Sequence, residues 1–374
     1  MNITNLVIQT GFWFLGFLFL FRITRCRRSS EKRKSYPSVS IIIPARNEEK
    51  TLPILLTSLR SQISPVDEII VVVGTSEDRT KEIAEKQNVI VKQSEPLPEE
   101  WLGKPWSCYQ GAKLAKGEIL IFLDADTFIE EDGLKNIVET YVERGGVITI
   151  QPYHKTKRLY EQLSAFFNII GMAGMGTFTV LGNRVKPVGL FGPCVVMSKK
   201  YYLESGGHLQ VKSEVVEDLA LGGRIKKQKT PISCYGGNGT ISFRMYPNGI
   251  GELIDGWSKG FATGAIKTYI PILLATILWI GGSITATRYF IEALLNPSIP
   301  SILLWGGAYL GYAVQIFWML FRVGNFRFYT ALFYPVPLLF FMYVFLRSFF
   351  LIFIKRSVSW KGIRINLKSK DSTK

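Results

Sequence analysis

The sequence separates long uncharged stretches from a charged middle part. No charged residue occurs in residues 3 to 21, 268 to 287, 296 to 321 or 328 to 346. About 20 consecutive apolar residues suffice for a helix to span the hydrocarbon core of a bilayer. The residues between the first two stretches have the mixed composition of a soluble domain. The pattern therefore predicts an integral membrane protein with a large soluble domain between its first and second spans.

These boundaries divide the 374 residues into five parts. The parts are an N-terminal transmembrane anchor over residues 1–24, a soluble domain over residues 36–250, an interfacial amphipathic segment over residues 251–267, a C-terminal transmembrane region over residues 268–354 and a basic tail over residues 355–374.

Basic residues are concentrated beside the apolar stretches. Seven follow the first stretch, namely Arg22, Arg25, Arg27, Arg28, Lys32, Arg33 and Lys34. They come after the apolar run, which favours a retained anchor over a cleaved signal peptide. The positive-inside rule then predicts a multi-pass protein of the cell membrane whose soluble domain is cytoplasmic. The net charge of +16 is assigned to contact with the lipid bilayer, and no nucleic-acid partner is expected.

Cysteine and histidine usage limits the chemistry that the chain can perform. The four cysteines, Cys26, Cys108, Cys194 and Cys234, are widely spaced and form no Cys-x-x-Cys pair, so they are expected to be free thiols. Only two histidines occur, which argues against a His-rich zinc site and most histidine-based catalysis. If the chain is a catalyst, its catalytic groups are therefore expected to be carboxylates.

Short β-rich runs alternate with helical patterns from Ser38 onward. Such alternation predicts βαβ crossovers and an α/β domain with a parallel sheet covered on both faces. Ligands bind at the carboxyl ends of strands in open α/β sheets. "PARNE", residues 44 to 48, and "DAD", residues 124 to 126, both follow predicted strands. We therefore expect them to contribute to one site.

Asp124 and Asp126 end an apolar strand that is predicted to be fully buried. Two carboxylates near one point suit Mg²⁺ or Mn²⁺, which prefer oxygen ligands and commonly bridge a protein carboxylate to a diphosphate. A solvated turn is the alternative interpretation of the same two residues.

Three other elements carry candidate site residues. Asn47 and Glu48 follow the first strand, where they could instead only cap a turn. Lys104 lies near a predicted helix start, where it could pair with a diphosphate or remain solvated. Glu217 and Asp218 open an amphipathic helix, where acidic residues can serve the helix dipole alone.

As a set, these four elements resemble glycosyltransferase family 2 over residues 38 to 260. The resemblance implies the GT-A fold with a mixed, mainly parallel sheet, a nucleotide-sugar donor and a divalent metal cofactor. It implies Asp124 and Asp126 as metal ligands, Asp218 with Glu217 as the catalytic pair, and inversion at the anomeric carbon by in-line attack. The donor would be bound by Pro44, Ala45, Asn47, Glu48, Asp78, Lys104 and Asp124.

The chain departs from the family pattern at three places, one being that only a single anchor is expected before the domain, which is too little for the usual polymer channel. The second strand usually ends in an Asp pair that helps to read uracil, but Val73 and Gly74 stand there. Nucleotide contacts are therefore expected from Asp78 or from backbone groups. "DGWSKG" stands where processive synthases carry Gln-x-x-Arg-Trp, which disfavours a polysaccharide synthase. Trp257 and Lys259 remain candidates for contact with the diphosphate, the acceptor or the membrane face.

Other segments resemble the bacterial carotenoid glycosyltransferases along nearly the whole chain. They are "WLGKPWSCYQG", "QPYHKTKRLYE", "FGPCVVMS", "GGH", "FRMY" and "SWKGIRI". This resemblance implies transfer of glucose from UDP-glucose to a lipophilic carotenoid or apocarotenoid acceptor, such as 4,4'-diaponeurosporenoate in staphyloxanthin-like pigment biosynthesis. It makes His154 and Arg244 candidates for acceptor or diphosphate contact, although His154 could be a structural hydrogen-bonding residue.

Several alternatives stay open at this point. Hopanoid, ceramide or diacylglycerol acceptors fit the same motifs, and a nucleotide-sugar-binding membrane scaffold is the non-enzymatic alternative. An acceptor carboxyl resembles Glu, with a pKa of about 4.3, and needs no general base. The presence of Asp218 therefore favours a hydroxylated acceptor to a small degree. The oligomeric state is left undetermined, and Pro335 and Pro337 could break the last apolar stretch into a hairpin.

Overall fold

The computed structural model describes residues 3–27, 35–62, 67–360 and 363–366. The chain forms two compact units. The sheet unit comprises Thr24–Tyr153 and Lys186–Arg244, and the helical unit comprises Met1–Ile23, His154–Val185 and Met245–Lys374. His154–Val185 thus groups with the apolar helices, whereas the expected soluble domain of residues 36–250 included it.

Twelve strands occur among the described residues. They are β1 Val39–Ala45, β2 Glu68–Val73, β3 Ile90–Gln93, β4 Ile119–Leu123, β5 Thr127–Ile129, β6 Val147–Gln151, β7 Tyr153–His154, β8 Cys194–Ser198, β9 Ile232–Gly236, β10 Ile241–Phe243, β11 Ser357–Trp360 and β12 Ile363–Asn366.

Fourteen α-helices occur in the same part of the chain. They are α1 Ile3–Gly16, α2 Leu52–Arg60, α3 Thr80–Glu85, α4 Gly103–Leu114, α5 Gly133–Arg144, α6 Ala165–Gly174, α7 Lys199–Glu204, α8 Glu217–Lys227, α9 Ile250–Ser258, α10 Phe261–Lys267, α11 Ile270–Leu295, α12 Ile299–Val323, α13 Phe328–Leu332 and α14 Pro335–Phe349.

A seven-stranded sheet in the order β3-β2-β1-β4-β8-β6-β9 forms the centre of the sheet unit. Strand β8 runs antiparallel to β4 and β6, and the other neighbours are parallel. The predicted mixed, mainly parallel sheet is therefore confirmed. In the parallel register Ala45 is opposite Val73, and Ile42 is opposite Phe122. The carboxyl ends of β1, β2 and β4 consequently share one edge, where β5 and β10 add a small second sheet with β7.

The central strands β1 and β4 are buried on both faces of the large sheet, which explains their long apolar runs. Ile41 and Ile43 pack into a cluster with residues of α2 and α5. Ile42, between them in β1, packs on the opposite face with residues of α4 and α8. This alternation follows from the two-residue period of a strand.

The helical unit contains three helices that are long and apolar enough to cross a membrane, among the described residues: α11, α12 and Pro335–Ile354, where a π-helical turn continues α14. Pro335 and Pro337 lie in the first turn of α14. Proline is tolerated there because the N–H groups of a first turn have no partner within the helix. The two prolines therefore begin α14, and the apolar stretch of residues 328–346 is divided between α13 and α14 just before them.

Helix α1 is shorter than the anchor expected over residues 1–24. Its 14 residues extend about 21 Å at 1.5 Å per residue, against a hydrocarbon core of about 30 Å. Gln9 in α1 donates to the carbonyl of Gly282 in α11 at 2.5 Å, and Gln315 in α12 donates to that of Trp13 at 2.8 Å. The anchor remains a prediction.

The expected interfacial and basic segments are described in part. Residues 251–267 fall in α9 and α10, which are separated at Lys259 and Gly260. The antiparallel strands β11 and β12 lie in the expected basic tail. Arg28, Lys32, Arg33 and Lys34 of the basic flank, and residues 367–374, lie outside the described residues.

Candidate active site

The Asp-Ala-Asp sequence forms a tight turn at the end of β4. The N–H of Asp124 donates to the carbonyl of Pro193 at 3.0 Å, and the N–H of Thr127 donates to the carbonyl of Asp124 at 3.1 Å. The chain then enters β5, whose pairing with β10 brings the N–H of Arg244 to 3.4 Å from the carbonyl of Asp126. Asp124, Asp126 and Arg244 are thus held at one end of the sheet.

Lys104 joins the carboxylates of two different elements. Its Nζ lies 2.8 Å from Oδ1 of Asp124, 3.1 Å from Oε1 of Glu217 and 3.3 Å from Oδ2 of Asp218. Helix α4 begins at Gly103, so Lys104 lies in its first turn, near the helix start as predicted. Glu217 and Asp218 lie in the first turn of α8, where the helix dipole favours negative charge.

The four charged groups shift one another's ionisation. Burial alone would lower the pKa of Lys104, but Asp124, Asp218 and Glu217 together raise it well above its ordinary value. Burial raises the pKa of Asp218 to about 8, Lys104 opposes this shift, and the like charges of Glu217 and Asp124 add to it. Lys104 is therefore a fixed cation, whereas Asp218 is harder to ionise than a solvated aspartate.

The cluster borders a cavity whose other walls the sequence did not reveal. Pro44 lines it, as do Cys108, Gly192 and His208, which had no predicted role. His208 is buried, its Nδ1 lies 2.9 Å from the hydroxyl of Tyr202, and burial lowers its pKa to about 4. His208 is thus a neutral imidazole. The segments "FGPC" and "GGH" contain two of these residues, but nothing in them indicates which side chains they meet.

The predicted donor-binding loops after β1 and β2 hydrogen-bond to each other. The N–H of Glu48 donates to Oγ1 of Thr80 at 2.8 Å, and the N–H of Glu49 donates to Oδ2 of Asp78 at 3.0 Å. Asn47 adopts a left-handed φ of 53°, which asparagine tolerates better than most residues. Asn47, Glu48 and Asp78 therefore lie together, and Asp78 organises the loop through its backbone contacts.

Val73 and Gly74, which stand where the family pattern has an Asp pair, lie beside the same loops. Ala45 and Val73 end β1 and β2, and the N–H of Gly74 donates to the carbonyl of Ala45 at 2.8 Å. A Cβ on Gly74 would meet its nearest atoms, Ala45 O and Arg46 Cβ, at an ordinary 3.7 Å. The position therefore has room for a side chain, although this chain has none there.

His154, Trp257 and Lys259 belong to the helical unit and are described within it. His154 is fully buried, its Nδ1 lies 2.9 Å from Nδ2 of Asn168, and burial lowers its pKa to about 4. Trp257 donates from Nε1 to Oγ of Ser164 at 3.1 Å. Lys259 is the C-cap of α9. Their acceptor or diphosphate roles remain predictions.

The donor set at the end of β4 is compatible with a hard divalent cation. Among the described residues, no group of three or more His, Cys, Asp or Glu side chains is placed to hold a metal. Mg²⁺ does not need such a cage, because it is usually held by one or two carboxylates together with phosphate oxygens and water. Asp124 and Asp126 lie two residues apart in one turn, so the chain supplies there the one or two carboxylates that this arrangement needs.

This fold belongs to a known structural class, the GT-A type. A mannosyltransferase from Pyrobaculum calidifontis, solved in complex with GDP-Man and Mn²⁺, has a similar fold, with a TM-score of 0.55 and 16% identity. The similarity covers 92% of this chain and 96% of that structure. The predicted GT-A fold is therefore confirmed.

Sequence comparison identifies the family. Residues 40–201 match the family described as glycosyl transferase family 2. The 4,4'-diaponeurosporenoate glycosyltransferase of Staphylococcus aureus strain USA300 is 33% identical over 343 residues, covering 90% of this chain and 91% of the relative. The protein of the same name from the bovine strain RF122 is 33% identical over 345 residues. The chain belongs to glycosyl transferase family 2 and is a glycosyltransferase.

Proposed function

We propose that the protein transfers glucose from UDP-glucose, with inversion, to a carotenoid or apocarotenoid in the membrane, such as 4,4'-diaponeurosporenoate. The observation that carries this proposal is the group formed by Lys104 with Asp124, Glu217 and Asp218 at the carboxyl edge of the sheet. In this group, Lys104 is a cation that could bind a diphosphate, Asp124 is a carboxylate that could bind a metal, and Asp218 is a carboxyl group that could contact the acceptor. The name of the 33% identical relative supports the acceptor.

The donor is proposed to bind with its nucleoside against the β1 and β2 loops and its diphosphate near Lys104. An ammonium within 3.3 Å of three carboxylates can exchange one of them for a phosphate oxygen without leaving the site. A divalent cation would be held by Asp124 and Asp126, and it would supply positive charge to the departing diphosphate.

The acceptor is proposed to approach Asp218 from the side opposite the leaving diphosphate, which gives inversion by a single in-line displacement. A hydroxyl acceptor would transfer its proton to Asp218 as general base. A carboxylate acceptor is already ionised at neutral pH. For it, a protonated Asp218 would donate a hydrogen bond, and Lys104 would offset the negative charge. Buried Glu217 would keep both groups in place.

The three apolar helices support a membrane location and access for a lipophilic acceptor. We propose that the sheet unit faces the cytoplasm, where nucleotide-sugars are available, in agreement with the basic flank after the first apolar stretch. Asp218 gives one reason to keep a hydroxylated lipid, such as a hopanoid, a ceramide or diacylglycerol, as a second candidate acceptor.

The direct test uses membranes that contain the full chain, incubated with labelled UDP-glucose and Mn²⁺, with the labelled lipid then identified by mass. The expected product is a glucosyl ester of an apocarotenoid acid. A glucoside of another lipid would show that the acceptor is that lipid and not an apocarotenoid acid. Labelling only by another nucleotide-sugar would show that the donor is not UDP-glucose. Absence of labelling with every nucleotide-sugar would contradict the proposed activity.

A further inference from the structure

A glycine-containing segment, Gly189–Pro193, packs directly on the backbone of α8. A Cβ on Gly189 would lie 2.7 Å from Cα of Leu219, and a Cβ on Gly222 would lie 2.6 Å from the carbonyl carbon of Gly189. The N–H of Leu190 donates to the carbonyl of Asp218 at 3.3 Å. Because the two backbones touch, this segment determines where the first turn of α8 lies.

Gly192 is the point at which the segment meets the catalytic carboxylate. A Cβ there would lie 1.9 Å from Oδ2 of Asp218, 2.7 Å from its Cγ and 3.1 Å from Nζ of Lys104. Gly192 does not have a left-handed φ, so the need for glycine comes from space and not from backbone conformation. Any side chain at this position would occupy the place of the Asp218 carboxyl group.

The segment is held on both sides of Gly192. The N–H and the carbonyl of Phe191 each hydrogen-bond to Oγ1 of Thr149 at 2.8 Å. The carbonyl of Pro193 accepts the N–H of Asp124 at 3.0 Å. Because the backbone is bonded before and after Gly192, it cannot easily retreat from an added methyl group, and Asp218 would have to move.

We propose that Gly192 is a positioning residue for sugar transfer. Its missing side chain makes room for the Asp218 carboxyl group beside Lys104. The hydrogen bond from the N–H of Asp124 to the carbonyl of Pro193 ties the same segment to the end of β4 and so sets the distance between its carboxylates and Asp218. One backbone segment thus fixes the spacing between the acceptor side and the diphosphate side of the site. The catalytic part of this inference rests on the proposed function.

The test compares full-length Gly192→Ala with Gly223→Ala. Gly223 lies on α8, the helix that carries Asp218, but a Cβ there meets nothing within 4 Å. We expect Gly192→Ala to lower kcat about 100-fold, as a misplacement of roughly 1 Å can do, while the KM for the donor stays within about twofold of the wild-type value. Gly223→Ala should keep the wild-type kcat. Equal kcat values for Gly192→Ala and the wild type would overturn the proposal.

A double-mutant cycle with Asp218→Ala separates positioning from general damage. Removing the carboxyl group removes the clash, so Gly192→Ala should lower the thermal unfolding midpoint of the wild type but not that of Asp218→Ala. Equal losses in both backgrounds would show that Gly192 does not act through Asp218. This cycle needs no activity and therefore tests the contact even if no sugar transfer is found. Active wild-type enzyme with an additive cycle would leave the proposed function intact and contradict only the positioning role.

Discussion

The ammonium of Lys104 lies 2.8 Å from Oδ1 of Asp124, so a side chain from the first turn of α4 contacts the carboxylate that ends β4. The same ammonium lies 3.1 Å from Glu217. The site therefore contains its own cation beside the carboxylate to which we assign the metal. Binding of the donor and the metal is expected to redistribute these contacts, which makes Lys104 the first residue to test.

Lys104→Met should strengthen binding of Mn²⁺ in the absence of donor and weaken binding of the nucleotide-sugar. Removing a positive charge next to Asp124 increases the local negative charge. Losing the charge–charge interaction of Lys104 with the metal, and with the diphosphate, is expected to change each affinity about tenfold or more. Titration of Mn²⁺ followed by electron paramagnetic resonance, and the KM for the donor, measure the two effects. Lys113→Met is the matched control, because Lys113 is an exposed lysine on the same helix. Weaker Mn²⁺ binding would contradict the role of Lys104 as a cation at the metal position.

Asp126→Asn should reduce sugar transfer and raise the Mn²⁺ concentration needed for half-maximal activity. Loss of a direct metal ligand should lower metal affinity or activity by at least the roughly 10- to 100-fold that is typical when an outer-shell partner is lost. The control is Asp132→Asn, at an exposed position with a left-handed φ of 55° that asparagine tolerates. Unchanged dependence on Mn²⁺ in Asp126→Asn would remove this residue from the metal site. If cells with Asp126→Asn keep the wild-type phenotype although sugar transfer is lost, the non-enzymatic alternative of a nucleotide-sugar-binding scaffold would be favoured.

The pH dependence of kcat/KM should distinguish the two kinds of acceptor. Because the pKa of Asp218 is raised to about 8, its carboxyl group gains a negative charge only as pH rises through that value. With a carboxylate acceptor, kcat/KM is expected to fall above about pH 8, since the ionised Asp218 repels the acceptor. With a hydroxyl acceptor, kcat/KM should rise up to about pH 8 and then level off, since Asp218 must be ionised to act as the base. Asp218→Asn should retain much more activity in the first case, because an amide can still donate a hydrogen bond.

Gly74→Asp should be tolerated and should increase the preference for uridine nucleotides. The nearest atoms to a Cβ at this position lie 3.7 Å away, and the substitution restores a residue type that the family usually has at the end of the second strand. Competition by UDP and by GDP against the labelled donor measures the preference, and the thermal unfolding midpoint should be unchanged. An unaltered UDP-to-GDP ratio would show that the nucleotide is read elsewhere.

Much of the site could be predicted from local patterns. Asp124 and Asp126 follow a continuously apolar strand, and such strands place their carboxyl ends at one edge of a parallel sheet. Glu217 and Asp218 were expected at a helix start, where α8 does begin. The soluble domain predicted over residues 36–250 includes His154–Val185, which groups with the apolar helices. An apolar helix of a soluble core and one that packs among membrane-type helices have similar composition, and only their packing partners distinguish them.

The sequence by itself determined the alternation of strands and helices, the three long apolar helices and the residue types of the site, because periodicity and charge are local properties. Tertiary structure alone decided that Lys104 meets three carboxylates and that Gly192 must lack a side chain. These contacts join segments that are far apart in the chain. The closeness of two backbones depends on how helices and loops pack on the sheet, and no local pattern records that distance.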